Sequence, residues 1–112
     1  MKKNLKLIID SRDAKKTKLE LIGSSFTDTV LYEGTNTHSQ VILPLIEKIL
    51  KKHECVVSNI TEIEVKVDHG SFTGRRVGAV IGIMLGTLLH IPVNGMPATT
   101  LLEIPYEEDK WK

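Results

Sequence analysis

The sequence predicts an α/β protein in which helices cover one face of a mixed β-sheet. Three extended segments come first along the chain, and two helical segments follow, each of them leading into a further strand. Short turns join antiparallel strands, whereas a helix between two strands usually returns the chain so that the strands lie parallel. At 112 residues the chain is long enough for one domain with a core of its own.

The first part of the sheet is predicted as three antiparallel strands. Apolar residues at every second position from Leu5 indicate a strand that ends at Asp10, and a second strand surrounds Leu19 and Leu21. A third extended segment covers residues 27–32. Polar turns separate the three segments, and alternation of this kind is typical of strands with one dry and one wet face.

A helix and a fourth strand follow. Apolar residues three and four positions apart predict helix one over residues 38–52. Thr35 or Thr37 is its predicted N-cap, and Pro44 should bend or delay its first turns. Alternating charged and apolar residues predict the fourth strand over residues 62–67.

The second helix is predicted around the uncharged segment 77–89. Residues 91–93 then form a short fifth strand, and residues 97–103 are expected to add one or two helical turns. We therefore predict a single lobe over residues 1–105 and a charged C-terminal tail over residues 106–112.

This order of elements predicts a ribonuclease-H-like lobe with a five-stranded mixed sheet and two main helices on one face. The two helical connections favour a parallel pairing of strands one and four. Charged residues at alternate positions of strands one, two and four leave the opposite face of the sheet wet. The prediction is a two-layer α/β sandwich.

The composition excludes several classes of protein. With 15 Lys+Arg against 14 Asp+Glu, the net charge of +1 provides no field that would attract nucleic acid. The uncharged segment 77–89 is shorter than the roughly 20 residues that a membrane-spanning helix needs. The single Cys55 fits a reducing cytoplasm and a buried role, and Asp10 ends the first apolar run too early for a signal peptide. We expect a cytoplasmic protein that binds no membrane and makes no direct contact with nucleic acid.

The run between the fourth strand and helix two is the most distinctive motif. Its two glycines permit backbone angles closed to other residues, its hydroxyl side chains can cap the helix, and the free amides of the helix start favour an anion. The residues of this candidate anion contact are Gly70, Ser71, Phe72, Thr73, Gly74 and Arg76. An ordinary tight turn without a ligand is the alternative interpretation.

Helix two lacks the polar side that a surface helix should turn toward water. Its glycines recur four residues apart and form a stripe on which another helix can pack closely. We therefore predict a partner interface on helices one and two, the alternative being that helix one alone covers the stripe. The predicted interface residues are Val41, Leu45, Ile49, Gly78, Ile81, Gly82, Leu85 and Gly86.

The sequence predicts no catalytic residue, no metal site and no cofactor. Its four histidines lack metal-ligand spacing, and Cys55 has no identifiable base. Asp10 and Asp68 follow strands one and four, so a parallel pairing would bring the two carboxylates to the same edge of the sheet. Two carboxylates alone do not define a metal site.

Two motifs resemble the bacterial TsaB (YeaZ-like) family. One is the segment 42–46, Ile-Leu-Pro-Leu-Ile, preceded by His38-Ser39, and the other is the Gly70–Gly74 run with Arg76 and Gly78. The resemblance implies an actin/Hsp70-superfamily lobe without catalytic function, which assists synthesis of threonylcarbamoyladenosine in tRNA. It also implies that the two helices dock a TsaD-type catalytic subunit, with a TsaE-type ATPase joining the complex.

The chain also departs from the family pattern. Asp68-His69-Gly70 stands where the family has Gly-Pro-Gly, and Arg75-Arg76 where it has Leu-Arg. A carboxylate beside a phosphate site repels the ligand. Only Asp10 and Ser11 match the Asp-Thr-Ser-like turn, at which catalytic relatives hold a metal and phosphates. The family has a second lobe, which we expect to be missing here together with the nucleotide cleft.

Two hypotheses follow. The first is a non-catalytic, TsaB-like dimerization subunit that scaffolds a TsaD-type protein in tRNA threonylcarbamoyladenosine modification. The alternative is a small phosphate- or nucleotide-binding enzyme that uses the Gly70–Gly74 loop, with Mg²⁺ held by Asp10 and Asp68. The sequence leaves open whether the partner is a second copy or a TsaD-type subunit.

Overall fold

A computed structural model of the chain describes residues 4–34 and 37–98, except for the side chain of Phe72. Six strands, two helices and one short 3₁₀ turn make up the described part of the chain. In chain order they are β1 (Leu5–Asp10), β2 (Lys16–Ile22), β3 (Thr27–Glu33), α1 (His38–Lys52), the 3₁₀ turn (Val57–Asn59), β4 (Ile60–Val65), α2 (Phe72–Leu89), β5 (Pro92–Val93) and β6 (Met96–Pro97).

The strands form one mixed sheet in the order β3-β2-β1-β4-β5-β6. β1 pairs antiparallel with β2 and parallel with β4, and β4 pairs parallel with β5. The predicted parallel pairing of the first and fourth strands is therefore confirmed. With both helices packed on the same face, this is the predicted ribonuclease-H-like sandwich.

The sheet has one strand more than predicted. Asn94 and Gly95 adopt positive φ angles of 53° and 79°, and they turn the chain so that β6 pairs antiparallel with β5. Pro97, which was expected to open a helical segment, lies opposite Pro92 in this ladder. The predicted helical residues 99–103 and the predicted tail 106–112 lie outside the described residues.

The core lies between the helices and one face of the sheet. Alternate residues of the central strands, among them Leu7, Ile9, Leu19 and Leu21, are fully buried. Both helices contact this face, α1 mainly over β2 and α2 over β1, β4 and β5. Cys55, predicted to be buried, is part of the same core cluster.

The opposite face of the sheet is charged, as the alternation predicted. Glu64 lies between two lysines, with an oxygen–Nζ distance of 3.0 Å to Lys6 and 2.9 Å to Lys66. Hydrogen bonding to Lys66, and then to Lys6, holds the pKa of Glu64 below its usual value. No helix covers this face in the part of the chain that the structure describes.

Helix α1 has the predicted bounds. It begins at His38, after Thr37, whose backbone N–H donates to the side-chain oxygen of Gln40 at 3.2 Å. Thr35, the alternative cap, lies outside the described residues. Pro44 lies within the helix without delaying its start. Within residues 4–34 and 37–98, neither helix has the combined length and apolar character that a membrane crossing requires.

Candidate functional site

The loop between β4 and α2 lies at the carboxyl ends of β1 and β4. Lys66 N–H donates to the carbonyl of Ile9 at 2.9 Å, which continues the pairing of the two strands into the loop. Gly70 has a φ of 108°, and a Cβ there would be 2.6 Å from the Cβ of Arg12. Both the backbone angle and the close approach require glycine at this position.

Two backbone N–H groups of this loop donate to acceptors within the protein. Ser71 N–H donates to the carbonyl of Arg12 at 2.6 Å, and Gly74 N–H donates to the Ser71 hydroxyl at 3.2 Å. Ser71 is therefore the N-cap of α2, one of the two caps that the sequence offered. The fully buried Ser11 donates its hydroxyl to the Gly74 carbonyl at 2.6 Å.

These contacts reduce the number of free amides that the candidate anion contact could offer. Two of the amides that would meet an anion already donate to acceptors within the chain, because the loop packs on the turn after β1. Thr73 and Arg76 are exposed at the first turn of α2. The side chain of Phe72 lies outside the described part. An anion contact by this loop stays a prediction.

Arg12 joins the two carboxylates that the sequence placed at this edge. Its Nε and Nη2 donate to the two oxygens of Asp10, both at 2.9 Å, and its Nη1 donates to Asp68 at 2.7 Å. The Arg12 hydrogen bond holds the pKa of Asp10 below its usual range. Hydrogen bonding to Asp10 raises the pKa of Arg12, which stays charged. The predicted pair of acidic side chains is thus brought together, but around a guanidinium.

Arg12 is not among the predicted site residues, although the sequence carries a signal for its contact with Asp10. Residues two apart on an extended segment point to the same side, so Asp10 and Arg12 could be expected to meet just past the end of β1. The predicted parallel pairing placed Asp68 at the same edge, but the sequence did not indicate that Arg12 would bridge the two carboxylates. Within the described residues, no three His, Cys, Asp or Glu side chains come together in a group that could hold a metal.

The glycine stripe of α2 faces the sheet, which corrects the prediction that it faces a partner. A Cβ at Gly78 would collide with the hydroxyl oxygen of Ser11, and a Cβ at Gly86 would collide with Val93. At Gly82 the added Cβ would be 2.5 Å from Val65 Cγ2. The glycines therefore let the helix backbone lie unusually close to β1, β4 and β5.

The other predicted interface residues are largely core residues of the chain itself. Val41, Ile49 and Ile81 are 6%, 2% and 8% exposed, respectively. Leu45 and Leu85 are half-buried and pack against the core. These side chains were expected to meet a partner because they share a helical face, but that face is the one turned toward the sheet.

Helix α2 nevertheless exposes apolar side chains on its outer side. Val80, Met84 and Leu88 are 56%, 43% and 69% exposed. Their spacing of four residues places them in one row along the helix. The outer side of this helix therefore lacks polar cover, as predicted, although the exposed residues are not those predicted to form the interface.

The fold and the site define a class of protein. The sheet order, the two helices on one face and the helix that starts at the Gly70–Gly74 loop make the chain a ribonuclease-H-like lobe. A family model for TsaD, described as tRNA N6-adenosine threonylcarbamoyltransferase, matches residues 32–102, which is more than half of the chain. The chain belongs to the TsaD family, and it is thereby related to proteins of tRNA threonylcarbamoyladenosine modification.

Solved structures share the fold. A structure described as YeaZ from Pseudomonas aeruginosa matches with a TM-score of 0.72 and 22% sequence identity. A second one, described as an uncharacterized protein with similarity to peptidase YEAZ from Pseudomonas aeruginosa, matches with the same values. Each match covers 83% of this chain and 42% of the solved chain, so this chain spans less than half the length of either. The resemblance to YeaZ-like proteins is thus confirmed in the fold. No curated protein sequence matches the chain.

Proposed function

We propose that this chain is a TsaB-like interaction subunit, without catalysis of its own, that supports tRNA threonylcarbamoyladenosine modification by binding a TsaD-type subunit. One observation carries the proposal, namely the row of Val80, Met84 and Leu88 on the outer side of α2. Membership of the TsaD family and the YeaZ-like fold support the assignment to this modification.

The row is suited to a partner because it is apolar, continuous and rigidly held. Its three side chains lie on a helix whose opposite side is fixed against the sheet at Gly78, Gly82 and Gly86. A fixed helix loses little conformational freedom when a partner binds, so more of the contact energy remains as affinity. Apolar side chains near the centre of an interface often dominate its binding free energy.

The row supplies the centre of an interface rather than all of it. A stable interface buries about 800 Å² on each partner, which is more than three side chains offer. A TsaD-type protein with an apolar helical surface of its own would complete the contact, and a TsaE-type ATPase is the further proposed member. A second copy of this chain is the competing partner, and the same experiment distinguishes the two.

The test measures molar mass by light scattering after size-exclusion chromatography. The chain alone and the chain mixed with a TsaD-type protein are compared, and we expect the mass of a one-to-one complex in the mixture. A mass that equals twice the chain in both samples would instead identify a self-associating subunit. A strictly monomeric chain in both samples would contradict the proposal.

A matched pair of variants locates the surface. Met84→Lys places a charge at the centre of the row and should weaken the complex at least about tenfold. Leu31→Lys introduces the same charge at a residue that is 54% exposed on β3, far from the row in sequence, and should leave the affinity unchanged. Far-UV circular dichroism checks that both variants are folded. Equal weakening by both substitutions would show that the outer side of α2 is not the contact.

A further inference from the structure

Arg12 lies between Asp10 and Asp68, the two carboxylates to which the alternative hypothesis assigned Mg²⁺. Asp10 is the last residue of β1, and Asp68 lies three residues beyond the end of β4, its parallel neighbour. The guanidinium lies between them and uses all three of its nitrogen atoms, two toward Asp10 and one toward Asp68. A bidentate contact of this kind fixes the geometry as well as the charge.

The backbone of Arg12 is held as firmly as its side chain. Its carbonyl accepts the hydrogen bond of Ser71 N–H at 2.6 Å, and its own N–H donates to Asp10 at 3.2 Å. Gly70 packs directly on its Cβ and carbonyl. The side chain is 24% exposed, compared with 63% for Asp68, so it is not a freely moving surface group. The guanidinium therefore has a fixed position at this edge of the sheet.

The donor set does not fit a divalent metal in its present arrangement. Mg²⁺ requires about six oxygen ligands in near-octahedral geometry. Both oxygens of Asp10 and one oxygen of Asp68 already accept N–H groups. The adjoining groove has a volume of about 310 Å³ and is lined by Arg12, Glu64, Val65, Lys66, Val67 and Asp68. Lys66 in this groove is paired with Glu64, so its charge is largely balanced there. A metal would have to displace the guanidinium from both carboxylates.

We propose that Arg12 is an internal cation that takes the place of a divalent metal between Asp10 and Asp68 and closes this edge to metal-bound phosphate. The inference rests on the guanidinium geometry alone and is independent of the proposed partner. It implies that the wild-type chain has no divalent-cation site here. It also implies that removing the guanidinium charge leaves two adjacent carboxylates able to bind a cation weakly.

The experiment titrates Mn²⁺ into isotopically labelled protein and follows the paramagnetic broadening of backbone amide signals. In the wild-type chain we expect no selective broadening of residues 10–12 and 66–70 at millimolar Mn²⁺. In Arg12→Gln these amides should broaden selectively, with an apparent affinity at least about tenfold higher, because the repulsion by one full charge is removed. Arg12→Lys keeps the charge but not the fork of donors, so its gain in Mn²⁺ affinity should be smaller than that of Arg12→Gln.

A control and a second-site variant make the outcome decisive. Lys6→Gln causes the same change in net charge on the same sheet face, where Lys6 pairs with Glu64, and it should not create the site. Adding Asp10→Asn to Arg12→Gln should abolish the gain in Mn²⁺ affinity. The proposal would be overturned if the folded Arg12→Gln chain showed no gain in Mn²⁺ affinity at this edge, or if Lys6→Gln showed an equal gain there.

The wild-type titration also decides the case if Arg12→Gln fails to fold. Selective broadening at residues 10–12 in the unmodified chain would mean that a metal enters despite the guanidinium, and this would overturn the proposal. Broadening confined to amides near other carboxylates would support the proposal, because Mn²⁺ would then bind exposed carboxylates but not Asp10 and Asp68. Addition of ATP with the Mn²⁺ should leave the wild-type spectrum around Gly70 unchanged.

Discussion

Substitution of Gly82 tests the close packing of α2 on the sheet. In Gly82→Ala the new Cβ would be 2.5 Å from Val65 Cγ2, closer than side-chain carbons approach one another. Val65 is 3% exposed and β-branched, so it has little freedom to rotate away. Alanine gains about 1 kcal/mol over glycine in a helix interior, whereas overpacking a core costs about 1–3 kcal/mol. We expect a net loss of about 1 kcal/mol of unfolding free energy.

Urea denaturation followed by far-UV circular dichroism measures this loss. A decrease of this size lowers the melting temperature by about 5 °C in a domain of this length. Gly82→Leu adds far more volume at the same contact and should prevent stable folding. Val80→Ala, on the exposed side of the same helix, is the matched control and should stay within about 0.5 kcal/mol of the wild type. If Gly82→Ala is as stable as the wild type or more stable, the stripe faces outward and the present assignment of helix faces is wrong.

Two further predictions concern the helix start and acid stability. Ser71→Ala removes the hydroxyl that accepts Gly74 N–H and should cost about 1 kcal/mol in urea denaturation, whereas Thr73→Ala at the exposed neighbouring position should cost almost nothing. Hydrogen bonds from Lys52 and then His53 hold the pKa of Asp28 at about 2, below its value in the unfolded chain. The ionised Asp28 therefore contributes its full stabilisation of the fold above pH about 4, and this stabilisation is lost as the pH falls toward 2. Asp28→Asn should therefore be less stable than the wild type at pH 7 and should lose less stability between pH 4 and 2; identical acid profiles would contradict the ion pair.

Most of the fold was predictable because long elements carry a periodic signal. Helix α1 has the predicted bounds, since its apolar side chains recur at helical spacing over four turns. The pair of two-residue strands β5 and β6 carries no such period. Only the first of the two was expected, and Pro97 suggested a helix start rather than a strand. Proline is tolerated in β6 because that strand lies at the edge of the sheet.

The candidate site was harder to predict because periodicity identifies residues that share a face without saying which way the face points. The glycines of α2 were correctly grouped, but a stripe without side chains suits a sheet as well as a second helix. What decides the question is the contact of Gly82 with Val65, a residue that lies 17 positions earlier in the chain. The meeting of Arg12 with Asp68 is likewise a tertiary contact between distant segments. Neither contact leaves a local signature in the sequence.

The two proposals can be separated because they concern different parts of α2, namely its start and its outer side. The contacts of Arg12 with Ser71 and Gly70 hold the start of the helix, whereas Met84 lies three turns further along on its outer side. Arg12→Gln should therefore admit Mn²⁺ and leave the mass of the complex unchanged, and Met84→Lys should weaken the complex without admitting Mn²⁺. Measuring both properties in both variants gives four results, of which each proposal requires two. If Arg12→Gln also weakened the complex, the guanidinium would be acting by positioning α2 for its partner, and the loop and the helix would have to be regarded as one site.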